Sequence, residues 1–315
     1  MDTNFTLLQK QSIKIILISC ALVLFGRFYQ FYFFGSPYRA FLWDESLLTP
    51  IVLYFYDSWN AYATDPTINY RIELLTKIVA VIFLITSFIA LFWFKVSSMI
   101  IKKSLIWISF VFLIFMALSM FKEKNYSWLP VFELSIQLSP IVLLAFWKNI
   151  EKLSISFLTN FLKIAIALTF IPHGLFAMGI LPVPGHFIDM TISILKISED
   201  EARIFLWVVG FIDVLGSILI FIPHRMVKFI LYYFAFWGFV TAFARVYVGF
   251  IPELAGMTLH NSLFLTIYRL PHGLIPLATL YLIRTNKLTV TKNEKPKLFN
   301  FGFRFPSGKH TESRQ

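Results

Sequence analysis

The stretch IVAVIFLITSFIALFWF, Ile78 to Phe94, decides the fold, because it is apolar from end to end and shows no alternation. A membrane strand would alternate apolar and polar residues over about ten positions. An unbroken run is what a helix needs to cross a hydrocarbon layer of roughly 30 Å, which takes about 20 residues. This run lies within a longer one, about 72 to 94, and comparable runs occupy about 12 to 34, 99 to 121, 129 to 147, 154 to 180, 203 to 222, 226 to 248 and 268 to 284. The expected fold class is therefore all-α, a polytopic membrane protein with about eight transmembrane helices. Composition agrees: 58% of the 315 residues are hydrophobic and 14% are charged, where soluble domains carry about 25% charged residues.

The runs also repeat in order. GRFYQFYFFGSPYRAFLW (Gly26 to Trp43) lies over HGLFAMGILPVPGHFI (His173 to Ile188), and QLSPIVLLAFW (Gln137 to Trp147) lies over LPHGLIPLATLY (Leu270 to Tyr281). The offset falls from about 147 to about 136 residues, so the copies share an order of parts and differ in loop length. This predicts two repeated four-helix bundles, residues 1–150 and 151–285. A basic tail over 286–315 follows, whose polar KNEKPK and SGKH stretches are expected to be disordered or to rest on anionic headgroups. Membrane proteins with parallel repeats often bury a site within or between the halves. Between the first two runs lies Gly35 to Tyr70, whose Trp43, Tyr54, Tyr56, Trp59 and Tyr62 suit the boundary between water and lipid. Its counterpart, Leu181 to Ser198, can make one short interfacial helix after Pro182 and Pro184, and Gly249 to Ile267 has room for another.

Lysine and arginine in short loops set orientation. With the amino terminus inside, Lys10, Lys14, Lys95, Lys102, Lys103, Lys148, Lys152, Arg225, Lys228, Arg284 and the tail share one face. The other face receives most of the acids, among them Asp44, Glu45, Asp57, Asp65, Glu73, Glu199, Asp200 and Glu201. The expected location is the inner (cytoplasmic) membrane, with both termini cytoplasmic. The net charge of +11 is mostly this asymmetry, so nucleic acid is a poor partner. A single cysteine excludes an internal disulfide framework. Leu17-Ile18-Ser19-Cys20 resembles a bacterial lipobox, but only Ile15 to Ser19 stand between Lys14 and Cys20. That is short of the roughly 7 to 15 apolar residues of a signal-peptide core, and a small buried hydrophobe is the expected role of Cys20.

An ionisable side chain inside a spanning helix costs a few kcal/mol and usually faces the bundle interior or a wet cavity with a partner. The short list of polar residues in the apolar runs is thus the best guide to a site: Arg27, Gln30, Glu133 and Gln137 in the first half, and His173, Asp213, Arg245 and His272 in the second, with Arg269 just outside. In the orientation above all but Asp213 fall in the outer halves of their helices, which predicts an outward-facing polar pocket. The second-half set is expected to form the core of that pocket, with Asp213 opposite Arg245 as an ion pair and Glu133 and Arg27 as their counterpart. His173 and His272 are free to donate, accept or titrate, and they are the only pair placed to ligate a haem. Each follows a proline in a PHG triplet, which equally marks a bend. His186, His224, His260 and His310 fall in boundaries, loops or the tail. No CxxC, HExxH, GxGxxG or P-loop pattern occurs, so thiol redox, zinc hydrolysis and nucleotide use have no local support.

FIPHGLFAMGILPVPGHFIDM followed by ARIFLWVVGFIDVLGSILIFI resembles the DoxX/DoxD-like membrane proteins, with Gly174, Gly179, Gly210 and Asp213 where that family's small residues and second-helix acid are expected. The resemblance covers roughly residues 160 to 284. The first half, through GRFYQFYFFGSPYRAFLWDE, is similar to the spanning region of the horizontally transferred transmembrane (HTTM) proteins related to the vitamin K-dependent carboxylase, without their soluble catalytic domain. Single DoxX units usually stand alone, so a tandem copy departs from the pattern. The resemblance implies a subunit or redox partner protein of a membrane oxidoreductase, in some members linked to quinone and sulfur chemistry. A quinone would suit the pocket, its carbonyl oxygens accepting from His or Arg. The competing expectations are a non-enzymatic carrier of a small solute or lipid and a structural subunit of a membrane complex.

Overall fold

In the computed structural model, which describes residues 3–222 and 226–293, the chain is all-helical, with no strand among the described residues. A long helix α1 (Thr3–Phe34) leads into three short ones, α2 (Arg39–Leu42), α3 (Glu45–Val52) and α4 (Trp59–Thr64), which occupy the aromatic segment expected at the membrane boundary. Two spanning helices follow, α5 (Pro66–Leu91) and α6 (Met99–Glu123), then α7 (Leu129–Glu133) and α8 (Ser135–Phe146). The second half runs α9 (Ile155–Ala177), α10 (Gly185–Leu195), α11 (Glu199–Leu219), α12 (Val227–Gly249), α13 (Ala255–Ile267) and α14 (Pro271–Asn293). Here α10 and α13 are the two extra helices anticipated in the connecting segments. Since α14 runs on to Asn293, the residues just past 285 are helical rather than part of a loose tail. The remainder of the expected tail, including His310, lies outside the described residues, as do His224 and Arg225.

Local signals explain most of the boundaries. Spanning helices begin where a side-chain oxygen takes up a free backbone N–H: Asp65 receives Thr67 N at 2.8 Å, Ser98 receives Ile101 N at 3.3 Å and Ser154 receives Phe157 N at 3.2 Å. Ser198 and Glu201 form a reciprocal capping box ahead of α11. Pro66 opens α5 at a position that needs no N–H. Gly35 and Gly179, at φ +85° and +74°, turn the chain out of α1 and α9 in a conformation that side-chain-bearing residues rarely adopt.

Among the described residues, seven segments are long and apolar enough to cross a membrane: Leu7–Phe34, Pro66–Leu91, Met99–Glu123, Ile155–Ala177, Glu199–Leu219, Val227–Gly249 and Pro252–Thr285, the last joining α13 to α14. The eighth expected run, 129 to 147, is instead broken at Leu134 into α7 and α8. From Leu129 to Phe146 it would rise about 27 Å, just short of the roughly 30 Å layer. Both ends of α8 are satisfied by neighbouring helices. Ile136 N donates to Thr169 Oγ1 of α9 at 3.0 Å, and the Lys103 ammonium of α6 donates to the carbonyls of Leu144, Ala145 and Trp147 at 2.6, 3.1 and 2.7 Å.

The outward faces of the long helices are apolar. Ile78, Phe88, Phe211 and Phe236 are among the exposed side chains, and water would not tolerate such a surface. The interior is close-packed, with Cys20 fully buried in α1. α1 lies at the centre, packing against α5, α13 and α14, while α9 packs against α11, α14, α7 and α8. Gly174 and Gly210 let α9 and α11 meet backbone to backbone, since a Cβ on either would fall 2.6 Å from the other's carbonyl oxygen. The aromatic segment is fastened to the same bundle: Tyr38, fully buried, donates to the Phe112 carbonyl at 2.9 Å, and Lys122 pairs with Asp44.

Candidate functional site

The site is built from helix ends. Gly26 sits where α1 passes the junction of α13 and α14, and a Cβ there would come within 2.8 Å of the Tyr268 Cβ and 2.9 Å of its backbone nitrogen. Without a side chain at that point the junction closes onto α1, and the next residue, Arg27, lies 4.0 Å from the centre of the Tyr268 ring. Arg27 Nη1 donates to Gln30 Oε1 at 2.7 Å and Nη2 to Gln137 Oε1 at 2.6 Å, tying α1 to α8. Arg27 is only 4% exposed, so these bonds hold a charge deep in the bundle. Arg269 stands over the same tyrosine at 4.6 Å and donates from Nη1 to the Leu265 carbonyl at 3.2 Å.

Across the same space, Glu133 closes α7 and places Oε1 3.2 Å from His173 Nδ1 on α9. His272, in the first turn of α14, has Nδ1 2.9 Å from the Arg269 carbonyl, and its ring centre is 6.1 Å from that of His173. Gly238 of α12 makes this possible, because a Cβ there would collide with the backbone of His272 and Gly273. Together with Gln30, Tyr268, Arg269 and the rim residues Ser36 and Glu123, these groups wall a cavity of about 360 Å³. Its remaining lining is apolar: Phe34, Met116, Met120, Pro130 and Leu134.

Arg27, Glu133, Gln137, His173 and His272 therefore converge as expected pocket residues, but they do so between the halves of the chain rather than within the second half. Asp213 and Arg245 do not line the cavity, and they do not pair. Asp213 is buried and accepts from the Tyr233 hydroxyl at 2.8 Å and from the Trp237 indole. Arg245 lies twelve residues beyond Tyr233 on α12, about 18 Å farther along the helix axis. Their expected ion pair is thus replaced by a neutral donor set around Asp213. The matching first-half pair is not formed either, since Glu133 takes His173 and Arg27 takes two amides. Arg245 is instead within electrostatic reach of Arg269, Tyr268 and Glu133, with its Nε buried and unbonded.

Sequence reasoning left Tyr268, Met116, Met120 and Glu123 out of the site. The signal for Tyr268 was its place between Gly26's partner surface and Arg269. A methionine on an apolar helix carries no such signal. The two histidines face one space, and the wall beside them carries Arg27, Glu133 and Arg269. This set suits hydrogen bonding to a small head better than the two apolar faces of a haem. Among the described residues no group of three or more His, Cys, Asp or Glu side chains is placed to hold a metal ion. Compared with known proteins, the chain finds no matching family model, no matching curated protein and no matching solved structure.

Proposed function

We propose that this membrane protein binds the polar head of a small, membrane-soluble ligand in the cavity between its halves. In the orientation favoured by lysine and arginine placement, both termini are cytoplasmic and the cavity opens to the outer side of the inner membrane. The observation that carries the reading is the convergence of Arg27, Glu133, Gln137, His173 and His272 on one space that Phe34, Met116 and Met120 also line. A lining that joins charged and amide groups to apolar side chains matches a ligand with a head and a hydrocarbon part. The DoxX-like resemblance adds a quinone as one such ligand and a membrane oxidoreductase as the partner, with His173 or Arg269 donating to a ring carbonyl. Carriage of a small solute or lipid is the second reading. It is favoured by the division of the walls between α1, α6, α7 and α8 on one side and α9 and α14 on the other, because movement between halves would open such a site.

Thermal unfolding of the detergent-purified chain, with a short-chain quinone and with a bacterial polar-lipid extract, tests the cavity. A ligand that raises the midpoint of the parent and not of His173→Ala or Gln137→Leu supports it. Variants that melt earlier while no ligand shifts the parent would make these groups packing devices only.

A further inference from the structure

We infer that the ligand's head is an anion, a carboxylate or a phosphate, joined to an apolar chain. This rests on the cavity being a ligand site and names the ligand's class. Two guanidiniums, Arg27 and Arg269, line the cavity, and a third, Arg245, is within electrostatic reach of Arg269, Tyr268 and Glu133. Among the described residues that line the cavity, two are carboxylates. Glu133 is taken up by His173 at 3.2 Å, and Glu123 is exposed at the rim. Among the described residues Arg27 has no acidic partner: its two terminal nitrogens go to the neutral amides of Gln30 and Gln137, and its buried Nε has no acceptor. Arg245 Nε is likewise buried without one. A guanidinium offers five N–H donors in a fixed fork that matches a carboxylate or phosphate. Inside a membrane protein, unpaired cations of this kind are costly unless an anion completes them. Tyr268 has both Arg27 and Arg269 against its ring, at 4.0 and 4.6 Å, which holds the two like charges beside one space instead of letting them swing apart. The thioethers of Met116 and Met120 and the ring of Phe34 supply the wall along which an acyl or prenyl chain would leave.

The experiment measures the thermal midpoint of the full chain in an uncharged detergent against five probes. These are oleate, dioleoyl phosphatidate, inorganic phosphate, monoolein as a neutral head on the same chain, and a short-chain quinone. The expected result is a rise of several degrees with oleate or phosphatidate that monoolein does not reproduce, and that weakens as salt is raised. Arg269→Gln is expected to raise the half-saturating concentration at least about tenfold, with Arg269→Lys recovering part of the loss. Met120→Trp is expected to weaken the amphiphiles and leave inorganic phosphate unaffected. A shift by inorganic phosphate as large as by phosphatidate would make a free anion the ligand and overturn the apolar half of the inference. If monoolein or the quinone acts as strongly as oleate, the anionic head is refuted while the cavity stands as a binding site. If no probe moves the parent, the cavity reading falls with it.

Discussion

The bond between Arg27 and Gln137 is the sharpest place to test whether the polar groups between the halves hold the fold together as drawn. Gln137→Leu puts a slightly shorter apolar side chain in place of the amide and deletes the acceptor that lies 2.6 Å from Arg27 Nη2. Polar contacts between helices in lipid average about 0.6 kcal/mol and reach about 1.7. A charged donor that is 4% exposed belongs near the upper figure, so the coupling energy should be about 1 to 1.7 kcal/mol. The single variant should cost more, about 2 kcal/mol, because it also strands a buried N–H. Arg27→Met removes that N–H together with the contact to Tyr268. In its background Gln137→Leu should therefore cost only about 0.5 kcal/mol, the residue of imperfect repacking. Reversible unfolding in mixed micelles, titrated with a denaturing detergent and read by tryptophan fluorescence, yields all four corners of the cycle. A coupling of less than about 0.3 kcal/mol would mean that water or lipid replaces the amide freely, and Arg27 would then be a solvated cation rather than a structural one.

Three further outcomes follow from the packing. Lys103→Met should lower stability by about 2 kcal/mol in the same assay, since the carbonyls of Leu144, Ala145 and Trp147 lose their shared donor. Lys103→Arg should recover most of it, and no loss in the methionine variant would show that water caps α8 instead. Gly174→Ala should destabilise by about 1 to 2 kcal/mol although alanine is the better helix former, because its Cβ would sit 2.6 Å from the Gly210 carbonyl oxygen; a neutral or stabilised variant would contradict that close crossing. At the head of α5, the Thr67 N–H and hydroxyl both donate to Asp65 and hold its carboxyl below the usual carboxylate range. Folding lowers this pKa, so the contribution is present at neutral pH and is lost as pH falls below about 4. Asp65→Asn, which keeps the acceptor, should flatten the acid limb of a stability against pH profile, and an unchanged limb would assign it to another group.

The long helices were legible because their runs are continuously apolar and four of their starts carry a cap, at Asp65, Ser98, Ser154 and Ser198. The break at Leu134 was not. Nothing in LPVFELSIQLSP forbids a straight helix over that turn, and α8 is short because Thr169 and Lys103, both distant in sequence, satisfy its ends. The same limit applied to the site. Membrane burial of a charge is a one-residue signal, so Arg27, Glu133, His173 and His272 could be named. Which acid meets which base is a matter of depth and rotation that only packing sets. Asp213 looked like a partner for Arg245 because both were charged; Tyr233 and Trp237 satisfy the carboxyl first, about three and two helical turns before Arg245 on α12.

The cavity draws on residues from both halves of the chain, and this bears on how it would open. Arg27 and His173 stand near the carboxyl ends of α1 and α9, 146 residues apart, and Gln137 and His272 stand in the first turns of α8 and α14, 135 residues apart. These separations lie close to the offsets of the tandem alignment, so equivalent positions would meet there with different chemistry. Arg27 binds Gln137 within the first half, whereas His173 reaches Glu133 across to it. A motion that separates the halves would then keep the arginine bond and break the His173 to Glu133 contact. Cross-linking α1 to α14 through cysteines placed on their buried contact, in a Cys20→Ala background, should block ligand entry if that motion admits the ligand. If the linked protein still takes up ligand at the parent's rate, entry runs instead through the rim at Ser36 and Glu123, with the halves fixed.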